Sequence, residues 1–116
     1  MAAKNDLSIG AVLPYFNDDV NATDVLVQTA ETVLYSVSLH NVTAADAFLL
    51  LFNAAAIADV TVGTTVPDYV IPNAANGVVN MAFVKPLLFN LGLVIASTTT
   101  TDGSTNAAQD VSLGYL

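Results

Sequence analysis

Hydrophobic and polar residues alternate over several short windows of the chain, and a period of two predicts strands with one face on a core. In Thr32–Asn41 (TVLYSVSLHN), Val33, Tyr35, Val37 and Leu39 fall on one side, opposed by Ser36, Ser38 and His40. Gly77–Val84 repeats the pattern with Val79, Met81 and Phe83, and Asp110–Tyr115 repeats it with Val111, Leu113 and Tyr115. Leu91–Thr98 predicts a further strand, followed by the polar loop Thr98–Asn106. Val66–Ile71, with Pro67 and Pro72, suits an edge strand, because proline cannot donate to a ladder. Ala47–Asn53 (AFLLLFN) is apolar on both faces; it is short and flanked by strand patterns, so it predicts a strand. Its second face needs a cover, and in a small sandwich another subunit is the expected one. The alanines of Ala54–Ala58 can add one helical turn after it.

Seven or eight such strands, with turn signals about every ten residues, predict an all-β fold: an antiparallel β-sandwich of jelly-roll type. Gly63 and Gly77 fall where its turns need a positive φ. Near the N-terminus the periodicity fails at Gly10, Pro14 and Asn17-Asp18-Asp19. Residues 1–22 are therefore expected to form an irregular arm, and residues 23–116 the sandwich domain.

Composition narrows the function. The 116 residues suit one domain, and a hydrophobic fraction of 54% excludes intrinsic disorder. Ten acids against Lys4 and Lys85 give a net charge of −8. Without a basic surface the chain is not expected to bind nucleic acid or an anionic membrane. The longest apolar stretches, Ala47–Ala58 and Leu87–Ala96, are broken by Asn53 and Asn90 and fall short of the ~20 residues of a membrane helix. The N-terminal residues lack the apolar segment of a signal peptide, so the chain reads as soluble. Zero cysteines exclude thiol chemistry and disulfides.

Little in the sequence suggests catalysis. His40, the one histidine, lies on the polar side of its strand without a patterned partner, whereas a general base needs an oriented partner and a cleft. Asp18, Asp19 and Asp24 are spaced closely enough to suggest calcium, but the glycine and terminal glutamate of a ligand loop are missing. Nucleotide loops and nucleophile elbows are absent. No enzymatic activity, cofactor or metal is expected. The low charge is more informative, because a surface of threonine, asparagine, serine and alanine is cheap to desolvate in a protein contact. Candidate contact residues are Tyr15 and Phe16 in the arm and Phe48, Leu50 and Phe52 on the two-sided strand.

From Thr32 to Tyr115 the order of motifs resembles a group of small tailed-bacteriophage virion proteins that includes capsid decoration (cement) proteins. Leu34–Asn41 is similar to the group's "LYSVSVxN" strand, and Phe48–Asn53 stands in place of its "xYVKLYN" strand. Val62–Pro67 with Ile71-Pro72 resembles "VGTDTPVLTIPIP". Phe89, Gly92–Ala96 and the Thr98–Gly103 loop are similar to "FxxGLxIATTxxxxD". Phe48–Phe52 departs from the pattern in lacking its lysine and tyrosine, and Thr65 replaces an acid.

The resemblance implies a virion location on the outer capsid surface and carries no catalytic residues. The expected partner is the major capsid protein, which the chain would bridge as a homotrimer, with the arm (Met1–Asn21) as a clasp. The alternatives are a head–tail connector, tail or fibre component, and a carbohydrate-binding module. The third is disfavoured by the absence of tryptophan.

Overall fold

In a computed structural model, which describes residues 12–116, the alternating windows are strands. The elements are β1 (Leu13–Val20), β2 (Val25–Gln28), β3 (Thr32–Asn41), β4 (Ala47–Asn53), β5 (Tyr69–Asn73), β6 (Val78–Phe89), β7 (Leu93–Thr98) and β8 (Gln109–Tyr115). One turn of 3-10 helix, Ile57–Asp59, follows β4 in and just beyond the alanine run. Strands pair antiparallel about the β4–β5 connection: β4 with β5, β3 with β6, β2 with β7 and β1 with β8. This long ladder is rolled up so that β3 also meets β8 and β4 also meets β7. Two four-stranded sheets result, ordered β1-β8-β3-β6 and β2-β7-β4-β5. That order is the jelly roll the strand spacing predicts.

The sheets enclose a core of Val20, Leu34, Val37, Leu39, Leu49, Leu51, Ile71, Phe89, Leu93, Ile95, Val111 and Leu113. Val79, Met81, Phe83 and Tyr115 pack against it from the expected faces. In β3 the phase differs from the simple alternation. A bulge between Leu34 and Ser36 lets two steps of β3 oppose one step of β8, Tyr115 to Gly114. An extra residue moves the side chains beyond it to the opposite face. Leu34 is therefore fully buried, while Val33 and Tyr35 stay half-exposed.

Two further expectations change. Leu13–Val20, placed in an irregular arm by its breakers, is strand β1 at the edge of the first sheet. Edge position explains the mismatch: Pro14 can face away from the ladder, and a bulge between Asn17 and Val20 absorbs the acidic pair. The expectation for residues 1–11 lies outside the described residues. Gly63 does take a positive φ (93°), but at the β5–β6 turn it is Asn76 (φ 55°) that does so, not Gly77. Gly77 is required for space, since a Cβ there would lie 2.5 Å from Asn73 Oδ1 and 2.7 Å from the Ala74 carbonyl oxygen.

At the end of the sandwich where β3 and β5 finish and β8 begins, buried amides link the two sheets. Asn41 Nδ2 donates to the carbonyls of Ala45 (2.7 Å) and Ala74 (3.0 Å), and its Oδ1 accepts the Thr43 N–H (2.9 Å). Asn73 Nδ2 donates to Gln109 Oε1 (3.0 Å), Gln109 Nε2 donates to Ser97 Oγ (3.0 Å), and Ser97 donates to the Ala107 carbonyl. Asn41, Ser97 and Gln109 are completely buried. Gln109→Ala removes one partner from each neighbour, leaving Asn73 Nδ2 with the Gly77 carbonyl (3.1 Å) and Ser97 with the Ala107 carbonyl, and it empties a fully buried site. Each lost bond costs ~0.5–1.5 kcal/mol, and the cavity adds to it. We expect a loss of about 3 kcal/mol in urea unfolding for Gln109→Ala, against less than ~0.5 kcal/mol for the exposed control Asn80→Ala.

Candidate functional site

The two sheets differ in what lies on their outer faces. On the second sheet, Leu50 and Phe52 of β4 meet Val94 and Ala96 of β7, with Phe48 and Val70 beside them. The chain covers this face itself, through Ala54, Val60 and Val62 of the β4–β5 connection. The connection is closed by a turn in which the Thr64 and Thr65 N–H groups donate to the Thr61 carbonyl. Asp68 pins its return: the Asp68 N–H donates to the Leu51 carbonyl, and its carboxylate accepts the Asn53 N–H at 2.7 Å. Leu50 and Phe52 are each 1% exposed, which removes them as contacts for a partner; Phe48 stays half-buried. The expected covering subunit is replaced by a tethered loop, whose docking costs none of the translational and rotational freedom lost on association.

The outer face of the first sheet has no such cover among the described residues. The register aligns Pro14, Gly114, Ser36 and Ala82 in one row across β1, β8, β3 and β6, and Phe16, Ser112, Ser38 and Asn80 in the next. Asp110, His40 and Val78 form a third row. The first two rows carry no charge and only small side chains in the middle. They floor a shallow groove of ≈ 470 Å³, walled by Val12 and Leu13 on the β1 side. Gly114 sets its depth, since a Cβ there would approach Ser36 Oγ to 2.6 Å and Val12 Cγ1 to 3.0 Å. Phe16 rises beside the groove with 66% of its surface exposed, and Val78 stands at 64% on the opposite edge.

Of the other candidates, Tyr15 points inward, packs half-buried against the core and accepts a hydrogen bond from Asn17 Nδ2 at 3.2 Å. Phe16, its neighbour, is the one member of the expected contact set that stands free on the surface. His40 faces Asp110 across the strands, Nδ1 to Oδ2 3.5 Å, both partly exposed. Neither Ser38 nor Ser112 hydrogen-bonds the imidazole among the described residues; the Ser38 hydroxyl donates to Asn80 Oδ1 instead. Asp18, Asp19 and Asp24 form no group able to hold a metal ion among the described residues.

All four sheet edges are guarded against strand addition. β1 carries Pro14 and its bulge, β5 carries Pro72, β6 carries Lys85 and Pro86, and β2 is only four residues long with a register shift. Such devices keep an edge from recruiting a strand from another chain. The open surface is therefore a sheet face. Sequence reasoning missed this face because its residues (Ser36, Ser38, Ala82, Ser112 and Gly114) are individually unremarkable and become a surface only through register. These features define an eight-stranded jelly-roll protein with one sealed and one open sheet. Comparison of the chain with protein-family models, with characterised proteins and with solved structures finds no match.

The contrast between the faces is measurable. Phe52→Ala empties a buried site and should cost about 3–5 kcal/mol in denaturant unfolding, whereas Phe16→Ser should cost less than about 1 kcal/mol. Equal losses would contradict the assignment of one sealed and one open face.

Proposed function

We propose that the chain is a non-enzymatic structural protein of a tailed-phage virion that decorates the outer capsid surface. In this role it bridges subunits of the major capsid protein, as a homotrimer at local threefold positions, and stiffens the shell. The observation that carries this reading is the pair of uncharged, small-residue rows on the first sheet, Pro14–Gly114–Ser36–Ala82 and Phe16–Ser112–Ser38–Asn80. A partner can cover those rows without stripping water from a charge, and the apolar residues at their borders supply buried area. The guarded edges direct any broad contact to the same face. The resemblance of Thr32–Tyr115 to decoration proteins supports the capsid as partner.

The charge distribution agrees with an outward position. Asp59, Asp68 and Asp102 lie on connections outside the first sheet, whereas Asp110 stands in its third row opposite His40, so docking through the two neutral rows keeps these three acids away from the contact. Stabilisation then follows from mass action: a ligand bound only to the assembled lattice shifts the equilibrium toward assembly.

Quantitative mass spectrometry of purified virions tests the reading. A copy number comparable to the major capsid protein is expected; a count far below it moves the chain to the neck, tail or fibre. Ser38→Arg sets a cation in the middle of the face, and we expect it to weaken capsid binding by at least about tenfold while the chain stays folded. Unchanged binding by Ser38→Arg would remove this face from the contact.

A further inference from the structure

Between Ala82 and Leu87 the edge strand β6 leaves its ladder, because β6 advances over these residues while β3 advances only from Ser36 back to Leu34. The excursion is anchored on its inner side, where the Phe83 ring meets Tyr69 of β5 edge-on, centroids 6.2 Å apart. On its outer side Val84 is 104% exposed, wholly in solvent. Lys85 stands next to it, exposed, as the only lysine or arginine among the described residues, and it forms no salt bridge there. The bulge is thus a fixed apolar knob beside a single positive charge.

The same chain presents a matching recess. The connection that seals the second sheet and the loop after β7 together form a cleft of ≈ 470 Å³, lined by Thr65, Val66, Pro67, Val70, Thr101 and Asp102. Its walls are apolar on one side, with Val66 82% exposed, and carry the exposed Asp102 carboxylate on the other. Val84 does not occupy its own chain's cleft, since it is bare. A chain of net charge −8 repels its copies over most of its surface, and among the described residues Lys85 is the one lysine or arginine that can make a contact between copies attractive.

We propose that Val84 and Lys85 of one copy seat in the cleft of a second copy, with Val84 against Val66, Pro67 and Val70 and Lys85 paired to Asp102. Knob and cleft are different patches, so the contact is heterologous, and its repetition closes a ring or extends a filament. The inference does not rest on the capsid reading and concerns the purified chain alone.

Sedimentation of the full-length chain over a concentration series tests it. The unsubstituted chain is expected to self-associate reversibly. Val84→Asp, Lys85→Asp and Asp102→Lys should each weaken association by about tenfold or more, because each removes an apolar or charge partner from a desolvated contact. The double variant Lys85→Asp/Asp102→Lys restores opposite charges in reversed order and should recover association toward the unsubstituted level. Circular dichroism, and the unfolding midpoint at a concentration too low for association, should stay unchanged, since all three side chains are exposed. A chain that stays monomeric throughout the series would overturn the proposal. So would single variants that associate normally, or a double variant no better than the singles. Capsid binding plays no part in these measurements, so failure here leaves the virion reading to its own test.

Discussion

The row of buried amides from Asn41 through Asn73 and Gln109 to Ser97 is the constraint on which the rest of the fold depends. A jelly roll is one long ladder rolled on itself, and rolling it requires strands far apart in sequence to meet at a fixed register. Apolar contacts in the core are non-directional and tolerate a slip of the sheets against each other. Hydrogen bonds in a buried site do not, because each slipped donor or acceptor is left without water or partner. The side-chain amides of β3 and β8 on one sheet and of β5 on the other, with the Ser97 hydroxyl of β7, keep all their bonds only when the four strands end at the same level. That level in turn sets the rows Pro14–Gly114–Ser36–Ala82 and Phe16–Ser112–Ser38–Asn80 on the outer surface.

Once the ladder is rolled, its two sheets meet different fates. The second sheet is apolar outside as well as inside, and the β4–β5 connection is long enough to fold back over Leu50 and Phe52. The first sheet carries serine, glycine and alanine outside, which need no cover. The molecule therefore has one side sealed by its own loop, and an open side whose two middle rows are small and uncharged. This polarity leaves one sheet face open for contact, and the decoration role proposed above rests on it.

The edges carry a second layer of control. Proline, bulges and Lys85 at the four border strands prevent indefinite strand addition, a standing hazard for any open sheet. The same devices create features that a flat edge would lack. The β6 bulge that interrupts pairing is also what lifts Val84 and Lys85 clear of the surface, so the element that blocks non-specific pairing is the one that offers a specific knob.

The sequence by itself determined the all-β class and most strand positions, because a period of two is local and survives without knowledge of neighbours. It also determined the edge role of Pro72 and the inward faces of β6 and β8, Val79, Met81, Val111 and Leu113 among them. Tertiary structure decided what depends on partners distant in the chain. Leu13–Val20 reads as irregular alone and becomes a strand only against β8. Leu34 is buried and Tyr35 left half-exposed because a bulge forms opposite Gly114 and Tyr115. Nothing in the local pattern marks Asn41, Asn73 and Gln109 as core residues until burial pairs them. Leu50 and Phe52 look like an interface, and the chain's own loop covers them. Local alternation encodes which face a residue prefers; only the rolled ladder, which brings distant strands together, decides what that face meets.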